Sequence, residues 1–141
     1  MARIRRLQIS NFRSIQALDW VPAPGINCLI GPGGSGKSSI LDAIDLCVGA
    51  RRGGTFGDMD FFALNVDVPI TISVALGDLP VSLMDIDVYG EFLRGFHPGT
   101  GEVEDEPRAE AGDRHHLASA SWCRFGACLD TFLRARGAAA T

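Results

Sequence analysis

Lysine is almost missing from this sequence. The 141 residues contain 13 basic side chains, and all but Lys37 are arginine. Several absences narrow the field. No apolar run approaches the roughly 18 residues that a membrane helix needs. The N-terminus MARIRRLQIS has no apolar core of the kind a secretory signal requires. The four cysteines (Cys28, Cys47, Cys123, Cys128) follow no zinc-finger or ribbon spacing and suggest no disulfide scaffold. Cys28 and Cys47 sit among apolar residues, as small core fillers do. A reducing, cytoplasmic setting without membrane partners is the expectation.

What is present suffices for one domain with a core, since 46% of residues are hydrophobic and 21% charged. The net charge of −4 is uneven. Met1 to Asp60 carries seven basic and five acidic residues, and Phe61 to Thr141 carries six and twelve. The acidic run from Glu102 to Asp113 reads as a solvated loop. The chain as a whole shows no strong nucleic-acid footprint; the cluster Arg3, Arg5, Arg6 reads as a solvated strand edge.

The lone lysine lies in GPGGSGKSS. Gly31, Gly36, Lys37 and Ser38 fit G-x-x-x-x-G-K-[ST], the Walker A pattern. Glycines let the backbone curl into a nest of inward-facing N–H groups. The helix starting near Lys37 aims its unpaired N–H groups at the same anion. A compact ammonium reaches the β- and γ-phosphates where an arginine fork would not fit. Ser38 offers a hydroxyl to Mg²⁺. The candidate site is therefore Gly31, Pro32, Gly33, Gly34, Ser35, Gly36, Lys37, Ser38 and Ser39. A guanine-reading N-K-x-D motif would need a second lysine, so ATP is favoured.

The flanks agree with such a loop. Arg6 to Ser10 alternates as a half-buried strand, and IQALDW is a partner strand. Ile26 to Ile30 reads as a short strand covered on both faces. Ile40, Ala43, Ile44, Cys47 and Val48 recur at helical spacing, with Asp42 and Asp45 opposite and Gly49 as a stop. Ile70, Ile72, Val74 and Leu76 mark a strand with one solvated face. Leu79 to Asp87 has room for a short helix. YGEFLRGF and EVED read as a hairpin around HPGTG. Trp122, Phe125, Leu129, Phe132 and Leu133 predict a helix over 121–136.

RLQISNFRSI, followed by INCLIGPGGSGKSSILDAI, resembles the N-terminal lobe of the ABC-type ATPase heads of DNA-repair and chromosome-maintenance proteins, the RecF, SMC and OLD groups. RRGGTF, DMDF, PITISVALGDLP, YGEFLRG and PGTGEVEDEP are most similar to the OLD-like ATP-dependent endonucleases. The resemblance implies an α/β P-loop NTPase fold, with a mixed sheet and an antiparallel β portion. It implies ATP and Mg²⁺ as ligands, Arg13 of NFRS close to the nucleotide, DNA as a partner, and the remainder of a head or a second head to complete the site.

Other family parts have no match here. No LSGGQ-like signature, Walker B Asp-Glu, Q-loop glutamine or toprim carboxylate set is found, and no catalytic residue is identified. The expectation is an incomplete fold: 1–116 a P-loop ATPase lobe and 117–141 an atypical tail, from a truncated gene product with a shifted reading frame at its end. Such a lobe should bind ATP and hydrolyse little alone. A small P-loop kinase and a non-catalytic interaction module are the alternatives.

Overall fold

The computed structural model describes residues 2–48, 56–83, 85–90, 93–97, 99–104 and 117–124. Its elements begin with strands β1 (Arg3–Phe12) and β2 (Ile15–Trp20) and helix α1 (Lys37–Val48). Two 3-10 turns follow, at Asp58–Asp60 and Phe62–Leu64, before strand β3 (Thr71–Gly77). After them come a 3-10 turn at Val81–Leu83, helix α2 (Ile86–Tyr89), and strands β4 (Leu93–Phe96), β5 (Val103–Glu104) and β6 (Leu117–Arg124).

The strands form one sheet in the order β2-β1-β3-β6-β4-β5. Every pairing among the described residues is antiparallel. The expected mixed sheet is thus not seen there. The alternation in β1 is seen: Leu7 and Ile9 are buried, while Gln8 and Ser10 are half-exposed. The register sets Leu7 opposite Val74 and Ile9 opposite Ile72. All four are at most 2% exposed. Each such side chain removed from water contributes about 1.5–3 kcal/mol. The same cluster takes in Phe12, Ile15, Ile70, and Ala43 and Cys47 of α1.

Five expectations need correction. The first is Ile26 to Ile30, which forms no strand: Ile26 is 94% exposed and Ile30 93%. No neighbouring strand among the described residues offers it a ladder. The second is Cys28, which is exposed on that segment, whereas Cys47 is buried as expected. The third is the stripe on α1. Its buried line is Ser39, Ala43 and Cys47, while Ile40 and Ile44 are partly buried and Val48 is exposed. The helix meets its neighbours along that i, i+4, i+8 line, which leaves Val48 at the margin.

The fourth is β3, which has no fully solvated face. It lies between β1 and β6, and Ser73 and Ala75 are buried along with Ile72 and Val74. The fifth is the helix expected over 121–136. Residues 121–124 belong to β6, which pairs with both β3 and β4. The rest of that segment, 125–136, lies outside the described residues. Unpaired ladder groups on two neighbouring strands outweigh a local helical spacing.

The hairpin of β4 and β5 forms as expected, with Gly95 opposite Glu104 and Phe96 opposite Val103. Its turn reaches back toward β2. A Cβ on Gly101 would lie 3.2 Å from Val21 Cγ1, and Gly101 has φ +73°. Only glycine takes that backbone so near a neighbour without strain.

Candidate phosphate-binding loop

Gly34 and Gly36 have φ of +77° and +88°. These left-handed steps turn the chain into the first turn of α1. The first helical bond runs from Ile40 N–H to Gly36 C=O at 2.9 Å. That leaves the N–H groups of Lys37, Ser38 and Ser39 without a main-chain acceptor among the described residues. Gly33 and Gly34 have open space where a Cβ would stand, with nothing within 4 Å. The nest is accessible from that side.

Lys37 lies back across its own loop. Its Nζ donates to the carbonyls of Gly31 at 2.7 Å and Pro32 at 2.6 Å, and to Ser35 Oγ at 3.0 Å. A Cβ on Gly31 would stand 2.8 Å from that Ser35 oxygen. Ser38 is exposed, whereas Ser39 is buried with its Oγ 3.1 Å from Ser14 Oγ. Of the two serines, Ser38 is the one exposed to solvent. The loop and the start of α1 bring together backbone N–H groups, an ammonium and the Ser35 and Ser38 hydroxyls. That set suits a polyphosphate with its magnesium ion.

Arg13 sits at the turn between β1 and β2 with φ +49°. Its Nε donates to Asp60 Oδ1 at 2.9 Å, and its Nη1 pairs with Asp42 of α1. The guanidinium carbon lies 4.9 Å from the centre of the Phe12 ring. The hydrogen bond from Arg13 is the main reason the Asp60 carboxyl is held below its ordinary value, with a bond from the Gly57 N–H adding to it. Asp60 in turn raises the Arg13 value, and Asp42 adds to the same effect. Among the described residues no group of three or more His, Cys, Asp or Glu is arranged to hold a metal ion.

Sequence reasoning did not single out Asn11, Ser14, Asp42 or Asp60. Asn11 is 6% exposed with φ +55° and donates its Nδ2 to the carbonyls of Asn65 and Val68. The partners lie tens of residues away, and spacing alone carries no signal for such contacts. The motif NFRS itself was the visible sign.

Comparison with known proteins bears on the same region. A family model described as an AAA domain matches residues 6–74. The DNA replication and repair protein RecF of Shewanella baltica (strain OS155) is 56% identical over 41 residues, 29% of this chain and 11% of that protein. RecF of Vibrio vulnificus (strain YJ016) is 56% identical over 43 residues, 30% of this chain and 12% of that protein. RecF of Chlorobium luteolum is 47% identical over 45 residues, 32% of this chain and 12% of that protein. The matches thus span about an eighth or less of the length of these relatives. No helix among the described residues is long and apolar enough to cross a membrane. The N-terminal region of this chain is similar to that of AAA-type P-loop ATPases, and the Gly31–Ser39 loop falls inside the matched residues.

Proposed function

We propose that this chain binds ATP with Mg²⁺ through Gly31 to Ser39, as the N-terminal part of an ATPase that acts in DNA repair or DNA metabolism. The observation that carries the reading is the loop itself. It combines two left-handed glycines, the Lys37 ammonium, and three N–H groups at a helix start that have no main-chain acceptor among the described residues. Similarity to RecF proteins, named for DNA replication and repair, supports the DNA-metabolic setting. An OLD-like endonuclease is a finer form of the same proposal, and it rests on the resemblance of the segments after Arg51.

Magnesium, when bound with ATP, would neutralise phosphate charge and polarise the terminal phosphoryl group. Ser38 is the side chain suited to hold it. Hydrolysis also needs a carboxylate to orient water, and the sequence offers no Walker B pair for that purpose. Slow turnover by the isolated chain follows.

The exposed Ile26–Ile30 segment supports a partner surface. Two isoleucines more than nine-tenths exposed, four residues apart on a stretch that pairs with no strand among the described residues, suit an added strand from the remainder of a head or from a second head. DNA contact would belong to that larger assembly.

Calorimetric titration of the chain with MgATP, beside Lys37→Ala, tests the proposal. Saturable one-site binding that weakens about tenfold or more in the variant is expected. Equal affinity in both proteins would refute phosphate binding by this loop. Rapid Lys37-dependent turnover would instead point to a complete small enzyme.

A further inference from the structure

Five consecutive residues, Asn11 to Ile15, each make a contact with either the 56–68 segment or the start of α1, and Arg13 with both. Asn11 holds the carbonyls of Asn65 and Val68. Phe12 is fully buried, bridges to Phe61, and meets the Phe56 ring edge-on at 6.4 Å. Arg13 donates its N–H to the Asp60 carbonyl at 2.7 Å, and its side chain takes Asp60 and Asp42 together. Ser14 meets Ser39. Ile15 stands where a Cβ on Gly36 would come within 3.1 Å.

Three of these contacts fall on one flank of the loop and helix. Gly36, Ser39 and Asp42 are spaced by three, so they line up along the start of α1. The β1–β2 turn grips that line at its Ile15, Ser14 and Arg13. The other side of Arg13 reaches the 57–68 segment. A single guanidinium therefore ties the phosphate loop's helix to that segment.

The charges around Arg13 decide what it does. Two carboxylates face one guanidinium, so the cluster carries a net negative charge. Its Nε and Nη1 donors are already engaged, and its guanidinium lies over the Phe12 ring. A polyphosphate would be repelled by Asp42 and Asp60 and would have to displace both. The left-handed backbone at Arg13 is sterically unfavourable for a residue that carries a Cβ. Such a conformation persists where surrounding contacts over-determine it.

We propose that Arg13 is a positioning residue for the phosphate loop: by bridging Asp42 and Asp60 it fixes the start of α1, and with it the N–H groups of Lys37, Ser38 and Ser39, against the 57–68 segment. It acts through Asp42 and does not touch the nucleotide. This rests on the reading of Gly31 to Ser39 as an ATP loop.

Two measurements on Asp42→Asn, Arg13→Gln and the double variant test it. The first is the amide spectrum of nucleotide-free protein. Both single changes should shift the Gly36, Lys37, Ser38 and Ser39 resonances in the same direction. The second is MgATP affinity, where each single change should weaken binding about fivefold and the double should be no worse than either. Asp42 is half-exposed, so its isosteric amide leaves the fold intact. If Arg13 were a phosphate ligand, Asp42→Asn would free it and tighten binding while Arg13→Gln loosened it. That pattern, or loop amides unmoved by both changes, overturns the proposal. Failure of the wild-type chain to bind MgATP would defeat the ATP reading alone, and the amide shifts would still decide the positioning role.

Discussion

The ammonium of Lys37 lies 2.7 Å from the Gly31 carbonyl oxygen, six residues back along its own chain. The same nitrogen is 2.6 Å from the Pro32 carbonyl. A compact cation is needed to sit between two carbonyls so close together. Lys37→Arg keeps the charge but brings a wide, planar fork. We expect it to lose MgATP binding nearly as fully as Lys37→Ala, with thermal stability unchanged. Titration calorimetry and a melting curve check both halves.

The glycines of the loop are not equivalent. Gly36 combines φ +88° with a Cβ position 3.1 Å from Ile15 Cγ1. Gly33 has no positive φ and open space around it. Gly36→Ala should destabilise the chain by about 1–2 kcal/mol and abolish binding. Gly33→Ala should leave the fold as it is and reduce only nucleotide affinity. Urea unfolding monitored by tryptophan fluorescence separates the two.

Two ion pairs give a pH signature. Arg6, mainly through its hydrogen bonds, holds the Asp19 carboxyl below its ordinary 3.8, with Gln8 adding to the effect. Arg13 does the same to Asp60. Because the native values are lowered, the stabilisation is fully present above pH 4–5 and is lost as the pH falls through the native values. Melting temperatures measured from pH 6 down to pH 3 should fall. The fall should be shallower for Asp60→Asn, which has already lost one pair. An equally steep fall in the variant would show that the Asp60 pair contributes nothing at neutral pH.

Ile26 and Ile30 touch little in the described structure. Replacing both with serine should leave the melting temperature within about 1 °C, because surface changes are small in energy. The same change should reduce self-association, seen as a smaller scattering mass at high concentration. A large loss of stability would mean that these side chains belong to the core of the isolated chain.

Local chemistry made much of this molecule legible. Strict alternation gave β1, because its buried face is filled by side chains two residues apart; in β3 the apolar alternation marked the strand, although residues on both of its faces are buried. The loop and α1 were legible because few sequences place glycines, a lysine and a serine at that spacing. Ile26 to Ile30 was misread for a physical reason. An apolar run shows that a segment is suited to burial, and the burial itself depends on neighbours elsewhere. Residues 121–124 were misread because the small and polar residues of Leu117–Arg124 give a weak period-two signal, while the aromatics further on carry a helical spacing that extended the expected helix back over them. The register with β3 and β4 settles it. The ties of Asn11 and Arg13 were invisible because their partners are 29 to 57 residues away.

The tip of a hairpin is ordinarily the place where a protein tolerates a cut or an insertion. The β1–β2 connection reverses that expectation. Lengthening the chain between Arg13 and Ser14 would move Ser14 and Ile15 away from Ser39 and Gly36 while Arg13 stayed with Asp60. Two strands joined only by Arg13 and Ser14 would survive such an insertion as a ladder, yet the anion cradle would lose one wall. For anyone splitting, permuting or tagging this chain, the safer joints lie elsewhere.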